Sequence, residues 1–372
     1  MRASLTTSNP SREPVKRRSF PVVPVVAAAL PTLGDWLFGT RTEGDRDLIE
    51  ELFFTDNKLR PHPVAPGLVA TRLSSGRVDP GELAFARQGF PVAVLLRADG
   101  DALGRAIGNE ISKGGKPQPW AFDLWVSDSD EGNRLSQTAT TLEKRARFVV
   151  EHLAKPWAAQ QLASAREAFA KEGIYVQACL FSPDRIALGL LPAHRAPSLA
   201  PGGRLRVHID DDAPSRAAAK LAEAFLWLGR APEPQDVCVD LGAAPGGWSY
   251  VLLQHRAKVY AVDRGKLAPN LRNQKNLEHI PADAFHFNPG DPVDWLCCDM
   301  AWRPLEVAGL LARWARRGWA RHLIVNFKLP MKKKAEHLFR IRDILSDGGW
   351  SSLRARQLYH DRDEVTIAGV RI

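Results

Sequence analysis

Residues 240–249 read Asp-Leu-Gly-Ala-Ala-Pro-Gly-Gly-Trp-Ser, and their reading decides the fold. They follow the apolar run Val237-Cys-Val239 and lead into Tyr250-Val-Leu-Leu253. That pattern predicts a buried parallel strand, a glycine-rich turn and a helix. Gly242, Gly246 and Gly247 would let a ligand approach bare backbone. Ligands of open α/β sheets sit at the carboxyl ends of the strands, where this turn would lie. The turn lacks both the G-x-G-x-x-G spacing of a dinucleotide site and the G-K-[ST] ending of a P-loop. A proline before paired glycines makes a stiff bend suited to a small zwitterion.

The surrounding chain supports this reading. A helix is expected over Ser215 to Leu228, capped by Asp212 or Ser215. Strands are expected at Val237–Asp240, Val259–Asp263, Trp295–Asp299 and His322–Phe327, with helices between them. Pro304 to Arg317 carries the apolar stripe Leu305, Ala308, Leu311 and Ala315. Such alternation implies an α/β domain, a mainly parallel sheet with helices on both faces. Ahead of it, Ala193 to Pro201 reads as a linker. The amino-terminal half mixes expected helices at Gly44–Phe54, Asp101–Ile111 and Leu142–Leu153 with strands at Val64–Leu73, Phe90–Leu96 and Phe122–Val126. A hairpin is expected at Ile174–Leu191. One or two small α+β units are implied.

The chain has 372 residues, enough for two or three domains. Fifty-one Lys and Arg against 42 Asp and Glu give a net charge of +9, which favours an anionic partner. Cys179, Cys238, Cys297 and Cys298 all lie in apolar runs without zinc spacing. We expect buried thiols in a reducing, cytoplasmic compartment, with no metal and no disulfide. No run of 18 apolar residues exists, so no membrane span is expected. The basic start followed by Val22 to Leu30 mimics a targeting signal. Pro21, Pro24, Pro31 and Glu13 argue instead for a disordered basic tail over residues 1–33.

The loop Asp-Leu-Gly-Ala-Ala-Pro-Gly-Gly-Trp resembles the S-adenosylmethionine loop of the FtsJ-like RNA 2′-O-methyltransferases. The resemblance implies a cofactor site formed by Asp240, Gly242, Ala243, Pro245, Gly246, Gly247 and Trp248. Three further acids end expected strands or their turns. Asp263 lies where an acid accepts hydrogen bonds from ribose hydroxyls, Asp283 is placed to meet an adenine amino group, and Asp299 closes Trp295-Leu-Cys-Cys298.

Lys220, Asp299, Lys328 and Glu364 form a second set. Lys328 directly follows the apolar run Ile324-Val-Asn-Phe327, where a lone charge needs a partner. A ribose 2′-hydroxyl is a poor nucleophile until its proton leaves. A free lysine is mostly protonated at neutral pH, but desolvation and a neighbouring cation favour the neutral amine. That assigns Lys328 as the base and Lys220 as the neighbouring cation, with Asp299 and Glu364 orienting the amines.

These four residues match the K-D-K-E tetrad of the same family. Longer words resemble the branch that modifies a cytidine in the peptidyl-transferase region of 23S rRNA. They are Asp212-Ala-Pro-Ser-Arg216, Cys298-Asp-Met300, Lys328-Leu-Pro-Met-Lys-Lys333 and Arg356-Gln-Leu-Tyr-His-Asp-Arg362. The likeness covers nearly all of residues 205–372, and Ala84-Phe-Ala-Arg-Gln88 extends it towards the amino terminus. It implies a ferredoxin-like domain at 34–97, a THUMP-like RNA-binding domain at 98–195 and a Rossmann-like class I methyltransferase domain at 196–372. Ala301-Trp-Arg303 departs from the branch's more acidic stretch, and the first 80 residues match poorly. Lys328, Lys332, Lys333 and Lys334 offer an RNA surface, and Trp302 and Tyr359 are candidates to stack on an extruded base.

The expected partner is therefore RNA, namely 23S rRNA free or in an early assembly intermediate, met by a monomer. Competing readings are a methyltransferase-like assembly factor without catalysis and a 2′-O-methyltransferase acting on tRNA. A nicotinamide oxidoreductase would need the absent G-x-G-x-x-G.

Overall fold

The computed structural model describes residues 20–24, 26–73 and 78–371. The first unit runs β1 (Trp36–Gly39), α1 (Asp45–Thr55), β2 (His62–Ala65), β3 (Leu68–Thr71) and β4 (Gln88–Pro91). Its strands pair antiparallel in the order β2-β3-β1-β4. The expected single strand over Val64–Leu73 is a hairpin instead, because Gly67 at φ +79° turns the chain. Among the described residues the unit has one α-helix where a ferredoxin-like β-α-β-β-α-β unit has two, so that expectation holds only as α+β.

The second unit contains β5 (Val94–Arg97), α2 (Gly100–Ser112), β6 (Trp120–Trp125), α3 (Asp130–Arg134), α4 (Ser136–Leu153), α5 (Lys155–Ala158), α6 (Ala165–Ala170), β7 (Ile174–Ser182) and β8 (Arg185–Pro192). Its sheet order is β5-β8-β7-β6, with β6 and β7 parallel and the other pairs antiparallel. Phe90 to Leu96 was expected as one strand, yet β4 and β5 belong to different sheets. The chain crosses between them at Val92 and Ala93, whose N–H groups donate to Asp35 O and Leu188 O. The boundary therefore falls near 94 rather than 98.

The third unit runs α7 (Ala217–Leu228), β9 (Val237–Leu241), α8 (Gly247–Gln254), β10 (Lys258–Val262), β11 (Leu277–Ile280), β12 (Val293–Cys298), α9 (Pro304–Arg317), β13 (Ala320–Lys328), α10 (Lys334–Gly348), β14 (Trp350–Arg356) and β15 (Glu364–Arg371). Its seven-stranded sheet has the order β11-β10-β9-β12-β13-β15-β14, parallel except for β15, which runs antiparallel to both of its neighbours. Two strands, β11 and β14, were not anticipated, and β11 with a short 3-10 turn stands where a helix was expected. Neither Asp212 nor Ser215 caps α7 through its side chain.

Alternation along the strands separates two layers. Cys238, Cys297, Ile324 and Ala368 pack with α7 and α8. Val239, Leu296, Cys298, Val325 and Ile367 pack with α9 and α10, and that core continues into Phe38, Leu48 and Leu52 of the first unit. The opposite face of the first sheet, with Leu37, Ala70 and Phe90, packs on Trp125, Cys179 and Ala187 of the second. The first unit is thus wedged between its neighbours.

Residues 1–19 of the expected tail lie outside the described residues. Described residues of that stretch make contacts rather than trailing free: Phe20 packs on Phe54 at 5.1 Å, and Ala29 N–H donates to Pro63 O at 3.0 Å.

Candidate active site

Leu241 and Cys298 lie opposite one another where β9 and β12 meet, and β10 flanks the far side of β9. This is the switch point of the sheet, where a crevice opens beyond the strand ends. The glycine turn and Asp299-Met300 line it. Gly242 adopts φ +79°, and a Cβ there would lie 2.6 Å from Met300 Cγ. Gly246 adopts φ +115° and would meet Leu271 Cδ1 at 2.2 Å, while Gly247 would meet Ser215 Oγ at 2.3 Å. The sequence reading reserved this space for a ligand, but the chain itself comes close at all three glycines.

Other loop residues divide into packing and surface. Ala243 is buried with Leu267 and Leu271, and exposed Pro245 accepts the Ala268 N–H at 2.9 Å through its carbonyl. Trp248 is buried among Ala218, Leu221 and Phe225, because α8 turns it towards α7. Its side chain belongs to the core.

Asp240 is wholly buried beneath the loop. Its Oδ2 accepts the Ser249 hydroxyl at 2.7 Å, while Oδ1 is buried without a partner. Burial above all, with Asp299 and Asp263 adding to it, pushes this carboxyl up to about 7. Asp263 braces the loop, its Oδ2 accepting Ala244 N–H at 3.0 Å and its Oδ1 accepting Gly265 N–H at 2.7 Å. Asp283 accepts from Phe285 N at 2.9 Å and pairs with Arg264 at 2.9 Å and His286 at 3.2 Å. The Phe285 N–H chiefly holds it below the usual carboxylate range.

The second set converges through the pleat. Asp299 lies two residues beyond Cys297, Asn326 and Lys328 lie two and four beyond Ile324, and Glu364 lies four before Ala368. A period of two puts all of them on the face covered by α7, which carries Lys220. Lys220 Nζ lies 3.2 Å from Glu364 Oε1 and 3.9 Å from Asp299 Oδ1. Lys328 ends β13 directly opposite Glu364. It is exposed, so the chain alone does not supply the desolvation expected around it. Burial raises the Asp299 carboxyl, and the Lys220 ammonium opposes that rise. At Glu364 burial is outweighed by Lys220 and by the Arg362 N–H, and the carboxyl is lowered.

Sequence reasoning missed a support behind this set. Asn326 Nδ2 donates to Asp299 Oδ1 at 3.2 Å, and the Thr366 hydroxyl lies 3.4 Å from Asn326 Oδ1 and 3.1 Å from Asp361 Oδ2. A polar residue inside Ile324-Val-Asn-Phe327 was the available signal. Asp361 is buried and pushed up to about 8, mainly by that burial. Glu223, one turn along α7 from Lys220, accepts the N–H groups of Tyr359 and His360 at 2.7 and 2.9 Å. Arg87 of the first unit donates to Leu358 O at 3.0 Å and Asp128 Oδ2 at 2.8 Å, and its guanidinium sits 5.5 Å over the Tyr359 ring. Tyr359 is held there by the first unit.

The surface expectations are partly corrected. Lys334 is buried, held by Asp47 at 3.0 Å and Asp363 at 3.6 Å, and so docks α10 on the first unit. Lys328, Lys332 and Lys333 remain exposed. Trp302 is 54% exposed beside the site and donates to Glu306 at 2.7 Å. A cleft of about 1010 Å³ brings Arg41 and Arg87 of the first unit to the same space as Arg216, Lys220, Arg362 and Glu364. The four cysteines are free and buried. Among the described residues no group of three His, Cys, Asp or Glu is placed to hold a metal, and no helix is long and apolar enough to cross a membrane.

A parallel sheet closed by an antiparallel pair, with a glycine turn and acids at its switch point, is the architecture of an α/β methyltransferase. Residues 213–310 match the FtsJ-like methyltransferase family model. The ribosomal RNA large subunit methyltransferase M of Xanthomonas campestris pv. campestris (strain B100) is 35% identical over 301 residues, 78% of this chain and 83% of that one. Its namesake in Xanthomonas euvesicatoria pv. vesicatoria (strain 85-10) is 38% identical over 261 residues, 67% and 72% of the two chains. That of Laribacter hongkongensis (strain HLHK9) is 46% identical over 178 residues, 45% and 50%. The chain belongs to the ribosomal RNA large subunit methyltransferase M family.

Proposed function

We propose that the protein methylates the 2′-hydroxyl of a ribose, a cytidine's, in 23S rRNA, using S-adenosylmethionine. The supporting observation is the pairing of Lys220 with both Asp299 and Glu364, with Lys328 opposite Glu364, beside the glycine turn.

The loop residues fit a cationic zwitterion. Asp240 is a buried carboxyl with an unpartnered oxygen, and a positive charge bound above it would favour its ionised form. Asp263 and Asp283 keep acceptor capacity for ribose hydroxyls and an amino group. S-adenosylmethionine, when bound, supplies a methyl already activated by sulfur. The protein's task is then to prepare the oxygen. Lys328 Nζ takes the 2′-hydroxyl proton, with the RNA closing over this exposed lysine. The Lys220 ammonium, fixed between two carboxylates, orients the developing alkoxide and stabilises it. Asn326 holds Asp299 in place.

We read residues 94–195 as the THUMP-like RNA-binding unit and the first unit as the spacer that fixes it against the catalytic one. Four buried thiols suit a reducing compartment such as the cytoplasm. The test is isotopically labelled S-adenosylmethionine with unmodified 23S rRNA and, separately, tRNA, followed by digestion to nucleosides. Label in 2′-O-methylcytidine from 23S rRNA supports the reading. Label in tRNA or on a base overturns the substrate, and no label in any RNA overturns the activity.

A further inference from the structure

The first unit reaches the reacting end of the catalytic sheet. Arg41, just beyond β1, places Nη1 3.3 Å from Asp363 Oδ1. Asp363 immediately precedes Glu364, which binds Lys220 and faces Lys328. The arm that carries Arg41 is fixed. Arg87 N–H donates to Gly39 O at 2.9 Å, and the Arg87 side chain, 3% exposed, ties Asp128 of the second unit to Leu358 of the third. Arg41, Lys220, Arg362 and Glu364 all line the cleft of about 1010 Å³.

We propose that Arg41 and Arg362 form a phosphate site in this cleft, which receives the phosphodiester next to the target ribose. This rests on the reading of Lys328 as the group that meets the 2′-hydroxyl. The 3′-phosphate is borne by the carbon next to the one carrying that hydroxyl. Glu364, which stands opposite Lys328 on the neighbouring strand, lines the cleft, so a ribose presented at Lys328 would bring a phosphate towards it. A guanidinium offers forked donors that match two phosphate oxygens. Arg41 is also free to change partners at little cost. Asp363 is 50% exposed and keeps Lys334 at 3.6 Å, so the exchange strands no charge. The first unit would then complete the substrate site as well as support the second unit.

The experiment compares wild type with Arg41→Ala, Arg41→Lys, Arg362→Ala and Asp363→Asn. It measures binding of a 23S rRNA fragment against salt concentration, kcat and KM for methylation, and S-adenosylmethionine affinity. Arg41→Ala and Arg362→Ala should each raise KM for RNA about tenfold, with kcat at saturating RNA and cofactor affinity unchanged. Each should lower the steepness of log K against log salt by about 0.7, the value for one phosphate on a single strand. Arg41→Lys should restore the salt slope and part of KM. Asp363→Asn should not raise KM, because it releases Arg41 while Lys334 keeps its closer partner Asp47. An unchanged KM and slope in Arg41→Ala would overturn the proposal. So would a fall in kcat alone, shared with Asp363→Asn, since Arg41 would then act only by bracing Glu364. If wild type methylates no RNA, the proposed function fails, and the salt slopes of binding still decide the phosphate site.

Discussion

Lys328 and Glu364 stand opposite each other across the antiparallel β13–β15 pair, and Glu364 reaches from there to Lys220 at 3.2 Å. One backbone register therefore places Lys328 beside Glu364, whose carboxylate in turn holds Lys220. A slip of one residue would turn Glu364 to the face of α9 and α10, so the pairing cannot drift without dismantling the site. Loss of the charge at Glu364 should be felt in rate rather than in folding. Glu364→Gln is expected to reduce kcat at least tenfold, by removing the closer of two charged partners of Lys220, with little change in the urea midpoint. Single-turnover methylation beside urea denaturation checks this.

Asn326 lends Asp299 a hydrogen bond from inside an apolar strand. Asn326→Leu is expected to lower kcat about tenfold, the effect of one lost hydrogen bond to a charged group, and to leave cofactor affinity intact. Steady-state kinetics with a cofactor titration separates the two. Equal losses in both would place Asn326 in general packing instead.

Gly246 adopts φ +115°, and a Cβ there would come 2.2 Å from Leu271 Cδ1. Gly246→Ala is expected to destabilise the fold by about 1–3 kcal/mol from backbone strain, with the steric clash adding to it. It should also weaken cofactor binding, because the turn must move. Denaturant unfolding and calorimetric titration give the two numbers.

Asp240 predicts a pH dependence of a definite sign. Burial raises its carboxyl from 3.8 to about 7, so the folded chain keeps a proton that the unfolded chain has released. Stability from this group therefore falls as pH rises from about 4 to about 7 and levels off above. Asp240→Asn should remove that fall. Urea midpoints at pH 5 and pH 8 in the absence of cofactor provide the comparison, and an unchanged pH dependence in the variant would contradict it.

The residues reveal the catalytic sheet more readily than the units ahead of it. Apolar runs ending in Asp240, Val262, Cys298 and Lys328 read directly as strands because both of their faces are buried. β14, Trp-Ser-Ser-Leu-Arg-Ala-Arg, hid because its polar residues break the apolar pattern. The β4–β5 break hid because nothing local tells one continuous apolar run to serve two sheets. The meeting of Lys220 with Asp299 and Glu364, and of Glu364 with Lys328 across two strands, was anticipated, but the residues behind them were not. Arg87, Glu223 and Asp361 look like ordinary surface charges until the tertiary fold buries them. The core packing of the Trp248 ring was not legible either, since a ring beside a ligand loop is also a ring at the start of a core helix.

The central claim is that Lys328 removes the ribose proton. The most direct measurement is single-turnover methylation of 23S rRNA by wild type and Lys328→Ala, with cofactor and RNA affinities measured on the same preparations. The account predicts a loss of about 10²–10⁴ in the chemical rate, the range of a general base, with cofactor affinity unchanged. A variant that transfers the methyl at the wild-type rate would contradict it.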